Sequence, residues 1–285
     1  MSAVTITDEE LNSLTNAILR RYDIDFTCYE PTSLKRRVVR SINVLQMGSV
    51  HELWVRLLKD RSFIYPFIDE ISVGLTSMFR DPILWRSLKS EVLETLRHKE
   101  HVNIWHAGCS TGEEVYTMGI VLQEVGLLNK TRGVATDISE AAISVARSGS
   151  YHELKIAEYG RNYLEYNPTG LFQRYHETVD STPKMKSSLI QHVDFRMHNL
   201  ITEAPPEKFD IIFCRNVMIY FDHKSKVRLL QQFHDHLNEG GYLIIGFYDA
   251  LIPLIDKEKY QIASMESKIF QKKKAIPALQ VPLSH

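Results

Sequence analysis

The sequence predicts an α/β chain, a doubly wound parallel sheet set behind a small all-helical unit. Two observations carry that prediction. From residue 101 onward, short apolar runs that read as strands alternate with helical patterns, and such alternation implies parallel pairing. Before residue 101 there is helical periodicity and no strand signal. The length of 285 residues suits one large domain or two modest ones. With 34 basic against 35 acidic residues, a net charge of −1 and 44% hydrophobic residues, a disordered chain and a polybasic nucleic-acid binder are excluded.

The helical elements come first. Thr7 ahead of Asp8, Glu9 and Glu10 reads as an N-cap with acids facing the positive end of the helix dipole. Leu11, Leu14, Ile18 and Leu19 follow at helical spacing. A second helix starts near Pro31-Thr32-Ser33, carries Lys35, Arg36, Arg37 and Arg40, and stops before Gly48. A third spans about Val50 to Lys59 and a fourth about Phe63 to Val73. The four cations are either a solvated helix face or a docking surface for an acidic partner.

The alternating half opens with the strand Val102–Ala107, which runs into the small-residue loop Gly108-Cys109-Ser110-Thr111-Gly112. A helix follows, led by Glu113 and Glu114. The next strand, Gly133–Thr136, ends at Asp137, and Ser139-Glu140 opens another helix. Val193–Phe195 and Phe209–Cys214 read as strands, Lys224–Leu237 as a helix and Gly240–Gly246 as a further strand. Residues 151–192 are polar and aromatic with little helical periodicity, and the tail after Lys274 carries no element pattern.

No stretch approaches the roughly 20 apolar residues that cross a bilayer, and the first residues are acidic where a signal peptide is basic. Cys28, Cys109 and Cys214 are odd in number and widely spaced, which fits a reducing compartment better than a disulfide framework or zinc site. A cytoplasmic protein without membrane insertion is expected.

Ligands of doubly wound sheets bind beyond the carboxyl ends of the strands. The glycine loop, Asp137 and Arg215-Asn216 all fall there. A carboxylate ending the second strand suits a ribose diol. Glu113 and Glu114 stand where a pyrophosphate would need bare amides, so a ligand with a cationic end is favoured. S-adenosylmethionine has that chemistry; a nicotinamide or flavin dinucleotide and a non-catalytic module remain as alternatives.

Four segments then carry a resemblance. LTSMFRDP (75–82), WHAGCSTGEEVY (105–116), ATDIS (135–139) and FCRNVMIYF (213–221) resemble the CheR family of chemotaxis receptor methyltransferases over roughly residues 5–272. The resemblance implies a class I (Rossmann-like) S-adenosylmethionine-dependent methyltransferase domain at 89–274 behind an N-terminal helical domain and linker at 1–88. It also implies a small β subdomain inserted at about 151–192, and 275–285 is expected to be a flexible tail. The implied activity is methylation of glutamate carboxylates on cytoplasmic helices of chemotaxis receptors, with S-adenosylhomocysteine as product. No metal, no nucleic acid and a monomer are implied.

Residue by residue, the resemblance places Thr76 and Arg80 at the cofactor and reaction site. Gly108 lies in the cofactor loop, Glu114 at the methionine part, Asp137 at the ribose, and Asn199 and Leu200 beside the adenine. Arg215 and Asn216 close over the cofactor, Tyr220 sits near the transferred methyl, and Lys35, Arg36, Arg37 and Arg40 face the receptor. Gly74 stands where the family has an Asn and Met78 replaces one of two Phe residues. Gly246-Phe247-Tyr248-Asp249 replaces Gly-His-Ser-Glu. Gly74 and the altered 246–249 loop motivate one alternative, a CheR-type binding module without turnover; a methyltransferase for another substrate is a second.

Overall fold

The computed structural model describes residues 4–72, 74–205 and 207–274; Val73, which ends the expected fourth helix, Pro206 and the expected tail at 275–285 lie outside the described residues. Helix α1 (Asp8–Tyr22) starts with a capping box. The Thr7 hydroxyl accepts from the Glu10 amide while the Glu10 carboxylate accepts from the Thr7 amide. Helix α2 (Pro31–Val44) is capped by Glu30, whose carboxylate accepts from the Thr32 and Ser33 amides, one residue ahead of the expected start. Helices α3 (Val50–Lys59) and α4 (Ile64–Ile71) complete the unit. Its own core holds Leu14, Ile18, Leu34, Val38, Ile42, Leu53 and Phe67.

Residues 78–96 belong to a different core. Helix α5 (Pro82–Ser87) runs through a π-helical turn (Leu88–Leu93) into α6 (Glu94–Leu96). Met78, Phe79, Trp85 and Leu88 pack with Ile104, Ile120 and Phe213 of the sheet region. The change of core thus falls before residue 78, within the stretch expected as helical domain and linker.

The sheet has seven strands in the order β5-β2-β1-β6-β7-β9-β8. These are β1 (Val102–Ala107), β2 (Thr131–Asp137), β5 (Val193–Met197), β6 (Phe209–Cys214), β7 (Leu237–Ile245), β8 (Tyr260–Ser264) and β9 (Ile269–Lys272). The first five pair in parallel; β9 runs antiparallel to both β7 and β8. Helices α7 (Glu113–Val125), α8 (Glu140–Ser148) and α10 (His223–His236) connect the strands. The order reverses between β1 and β6, and this switch point locates the cavity.

Residues 151–192 differ from expectation in part. The small β element is a two-stranded hairpin, β3 (His176–Val179) with β4 (Thr182–Met185). Ahead of it stands a helix of 14 residues, α9 (Glu153–Tyr166), where little helical periodicity was read. Tyr159, Tyr163 and Tyr166 are its buried face. Their hydroxyls donate to Glu113 (2.8 Å) and Glu124 (2.9 and 2.8 Å), which satisfies two carboxylates on α7.

The helical unit is stitched to the loop after β6. The Glu30 amide donates to the Tyr220 carbonyl at 2.9 Å, and the Asp222 amide donates to the Cys28 carbonyl at 2.8 Å. Tyr29 and Phe221 form an isolated antiparallel bridge between them.

Candidate active site

A cavity of about 370 Å³ opens at the switch point, a size suited to a small-molecule ligand. Its floor is the loop between β1 and α7. Gly108 (φ +82°) and Gly112 (φ +91°) both take left-handed backbone. A Cβ at Gly108 would lie 2.4 Å from Val217, and one at Gly112 would lie 2.7 Å from Ala146. Glycine is therefore required at both places for the loop to approach its neighbours.

Asp137 ends β2 at one side of this floor. One carboxylate oxygen accepts from the Ser110 amide (2.8 Å) and the other from the Ser139 amide (3.0 Å). The carboxylate lines the cavity and, with about four acceptor positions, has capacity left for a hydroxyl. Burial pushes its pKa up, against those amide donors.

The acid pair separates in space. Glu113 is fully buried and bonded to Thr111, Lys155 and Tyr159, so it braces α9. Glu114 lines the cavity. Its carboxylate meets His106 Nδ1 at 2.8 Å and Arg215 Nη1 at 3.1 Å. Burial raises the Glu114 pKa, but His106 and Arg215 outweigh it and hold the carboxyl below its usual range. Arg215 also donates to Asp81 (2.7 Å) and to the Arg80 carbonyl (3.2 Å), with its side chain 4% exposed. It is a buried clamp that joins the end of β6 to α7 and the 80–81 turn.

Asn199 and Leu200 follow β5 and line the cavity on the Asp137 side. The Asn199 side-chain oxygen accepts from the Ile201 amide at 2.9 Å. Buried His198 also lines this wall and was not anticipated. At the other end stand Gly74, Thr76, Arg80, Asn216 and Tyr220. The Arg80 guanidinium donates to the Leu75 carbonyl at 3.1 Å.

Beyond Arg80 the cavity passes into a second recess. Arg37, Leu75, Arg80, Asn216 and Tyr220 line both, and the recess adds Arg36, Arg40 and Tyr248. The four cations of α2 therefore have different surroundings. Arg36 and Arg40 are exposed. Lys35 pairs with Asp8 at 2.7 Å and does not line the recess. Arg37, expected with the others to face the receptor, lies on the inner side of the helix and lines both the cavity and the recess. It is 6% exposed, donates to the Ile71 carbonyl at 2.8 Å and lies over the Tyr220 ring. Its neighbours Leu34 and Val38 are core residues, so its position on the helix's inner face was readable from the apolar period.

Among the described residues no group of three or more His, Cys, Asp or Glu could hold a metal ion, and no helix is long and apolar enough to cross a membrane. All three cysteines are buried and free.

The strand order and the switch-point cavity define a class I S-adenosylmethionine-dependent methyltransferase fold behind an all-helical unit. Residues 74–269 match the CheR methyltransferase SAM-binding domain, and residues 9–72 match the CheR methyltransferase all-alpha domain. The chain belongs to the CheR methyltransferase family. It is similar to a Pseudomonas putida protein named methyltransferase Cher3, with 32% identity over 95% of this chain and 100% of the relative. A chemotaxis protein methyltransferase of Borreliella burgdorferi is 32% identical over 87% of this chain and 90% of its own length. One of Listeria monocytogenes is 28% identical over 90% and 95% respectively.

Proposed function

We propose that the protein transfers the methyl group of S-adenosylmethionine to glutamate side-chain carboxylates on the cytoplasmic helices of chemotaxis receptors. One observation carries the reading. The cofactor cavity opens past Arg80 and Tyr220 into a recess walled by Arg36, Arg37 and Arg40, so the acceptor's approach is cationic while the chain as a whole carries −1. A carboxylate is the acceptor such a wall attracts.

Bound S-adenosylmethionine supplies an electrophilic methyl group on a sulfonium. Asp137 would accept hydrogen bonds from the ribose hydroxyls, and Glu114 would place an ionised carboxylate beside the cationic methionine end. The floor glycines keep the cavity open to the nucleoside. A glutamate with a pKa near 4.3 is already ionised at neutral pH, so the transfer needs no general base. What remains is alignment of one carboxylate oxygen and exclusion of water from it. Arg80 orients the carboxylate by charge-assisted hydrogen bonds, and Tyr220 lines its path. His106 and Arg215 keep Glu114 ionised, and neither has to exchange a proton.

The test is incubation with methyl-labelled S-adenosylmethionine and a cognate receptor cytoplasmic fragment. Label released as methanol by mild base, and absent from a fragment whose acceptor glutamates are alanine, is the expected result. Cofactor binding without transfer to a proven cognate fragment would overturn the reading.

A further inference from the structure

We propose that Asp249 is a positioning residue that locks the cofactor-side loop after β6 by accepting three backbone amides at once. The inference deepens the methyltransferase reading and rests on it for the role of that loop. Asp249 is 0% exposed. One carboxylate oxygen accepts from the Gly246 amide at 2.7 Å and the Asn216 amide at 2.9 Å; the other accepts from the Ile219 amide at 3.3 Å. Gly246 and Asn216 continue the parallel strands β7 and β6, so one side chain ties two loops that the sheet no longer holds.

The loop it ties carries strain and function together. Asn216 takes left-handed backbone (φ +59°), and Asn216, Val217 and Tyr220 all line the cavity. The Asn216 and Gly246 amides lie just past the ends of β6 and β7 and the Ile219 amide in the short 3-10 turn Met218–Tyr220, so without Asp249 these part-buried to buried donors would lose the acceptor they share. Gly246 confirms how tightly the loops meet. A Cβ there would lie 2.5 Å from the Asn216 amide nitrogen and 2.6 Å from the Asp249 carboxylate. The arrangement needs glycine at 246 and an acceptor-only side chain at 249.

An amide side chain cannot replace it. Both oxygens of Asp249 face N–H donors, so whichever way an asparagine turns, its NH2 opposes a backbone N–H. Glutamate keeps two acceptor oxygens and differs by one methylene. The experiment titrates S-adenosylhomocysteine into wild type, Asp249→Asn and Asp249→Glu at neutral pH, with unfolding transitions recorded on each. Asp249→Asn is expected to bind about tenfold more weakly while folded, and Asp249→Glu to recover to within about threefold of wild type. A folded Asp249→Asn that binds within about twofold of wild type would overturn the proposal, as would a folded Asp249→Glu no better than Asp249→Asn.

Amide hydrogen exchange of the wild-type protein supplies a readout that needs neither variant nor ligand. The Asn216 and Ile219 amides are expected to exchange slowly, and exchange at open-loop rates would overturn the clamp. Failure of wild type to bind S-adenosylhomocysteine, with these amides protected, would instead strike the methyltransferase reading.

Discussion

The guanidinium carbon of Arg37 lies 3.8 Å from the centre of the Tyr220 ring. This contact joins a helix of the N-terminal unit to the tyrosine at the mouth of the cavity, and the Glu30–Tyr220 backbone bond reinforces it. The same guanidinium donates to the Ile71 carbonyl at the end of α4. Arg37→Lys keeps the charge but loses the planar group that stacks and donates together. Turnover by Arg37→Lys is expected to fall about fivefold to tenfold, a loss of about 1 kcal/mol in the range of such contacts. Steady-state rates on a receptor fragment check this, and a wild-type kcat/KM would remove the coupling.

The Arg80 guanidinium donates to the Leu75 carbonyl of its own segment, and Arg80 lines both the cavity and the recess. Arg80→Ala is expected to lower turnover by at least about tenfold, or about 1.4 kcal/mol. Near-wild-type turnover by a folded variant would sink its orienting role.

Arg215 is bonded to Glu114, to Asp81 and to the Arg80 carbonyl. Removing it leaves the Glu114 carboxylate in a closed setting with only His106 beside it. Arg215→Met is expected to destabilise the fold by about 3 kcal/mol, as measured by denaturant unfolding. A loss below about 1 kcal/mol would show that solvent reaches the pair and screens it.

Asp249 gives a stability slope of unusual sign. Burial raises its pKa to about 6, against the amides of Asn216, Gly246 and Ile219 and the charge of Arg215; the nearby Cys214 thiol is itself pushed up, first by burial and then by Asp249. The folded state therefore binds the proton more tightly than the unfolded chain, whose carboxyl titrates near 3.9. That stabilisation is complete below about pH 4 and is lost as pH rises through about 6, on the order of 3 kcal/mol. Glu114 acts in the opposite sense, because its lowered pKa gives stability that disappears as pH falls. Unfolding free energies of wild type and Asp249→Asn across this window separate the two. The wild-type curve is expected to fall relative to the variant as pH rises, and parallel curves would contradict the assignment.

Much of this was legible in the residues because it rests on local signals. The Thr7 N-cap, the apolar run of β6 and the Ser139 cap on α8 each depend on neighbours within a few positions. The glycine loop and Asp137 were readable because the chemistry of a switch point restricts what can stand there. Helix α9 was missed because its buried face is tyrosine, although Tyr159, Tyr163 and Tyr166 recur at spacings of four and three. Strands β8 and β9 went unseen; three of the five β8 residues, Gln261, Ile262 and Ala263, are exposed in an edge position. Asp249 was visible only as a departure from a motif, since its three partners come from loops that meet in space and not in sequence.

The proposed function gives the cavity two chemically distinct ends, with the cofactor at Asp137 and Glu114 and the acceptor beyond Arg80. Charge reversal of the two exposed arginines separates them most directly. With Arg36→Glu and Arg40→Glu combined, the KM for a receptor fragment is expected to rise at least about tenfold. The affinity for S-adenosylhomocysteine should stay within about twofold of wild type. Equal losses at both ends, or an unchanged KM, would contradict the account.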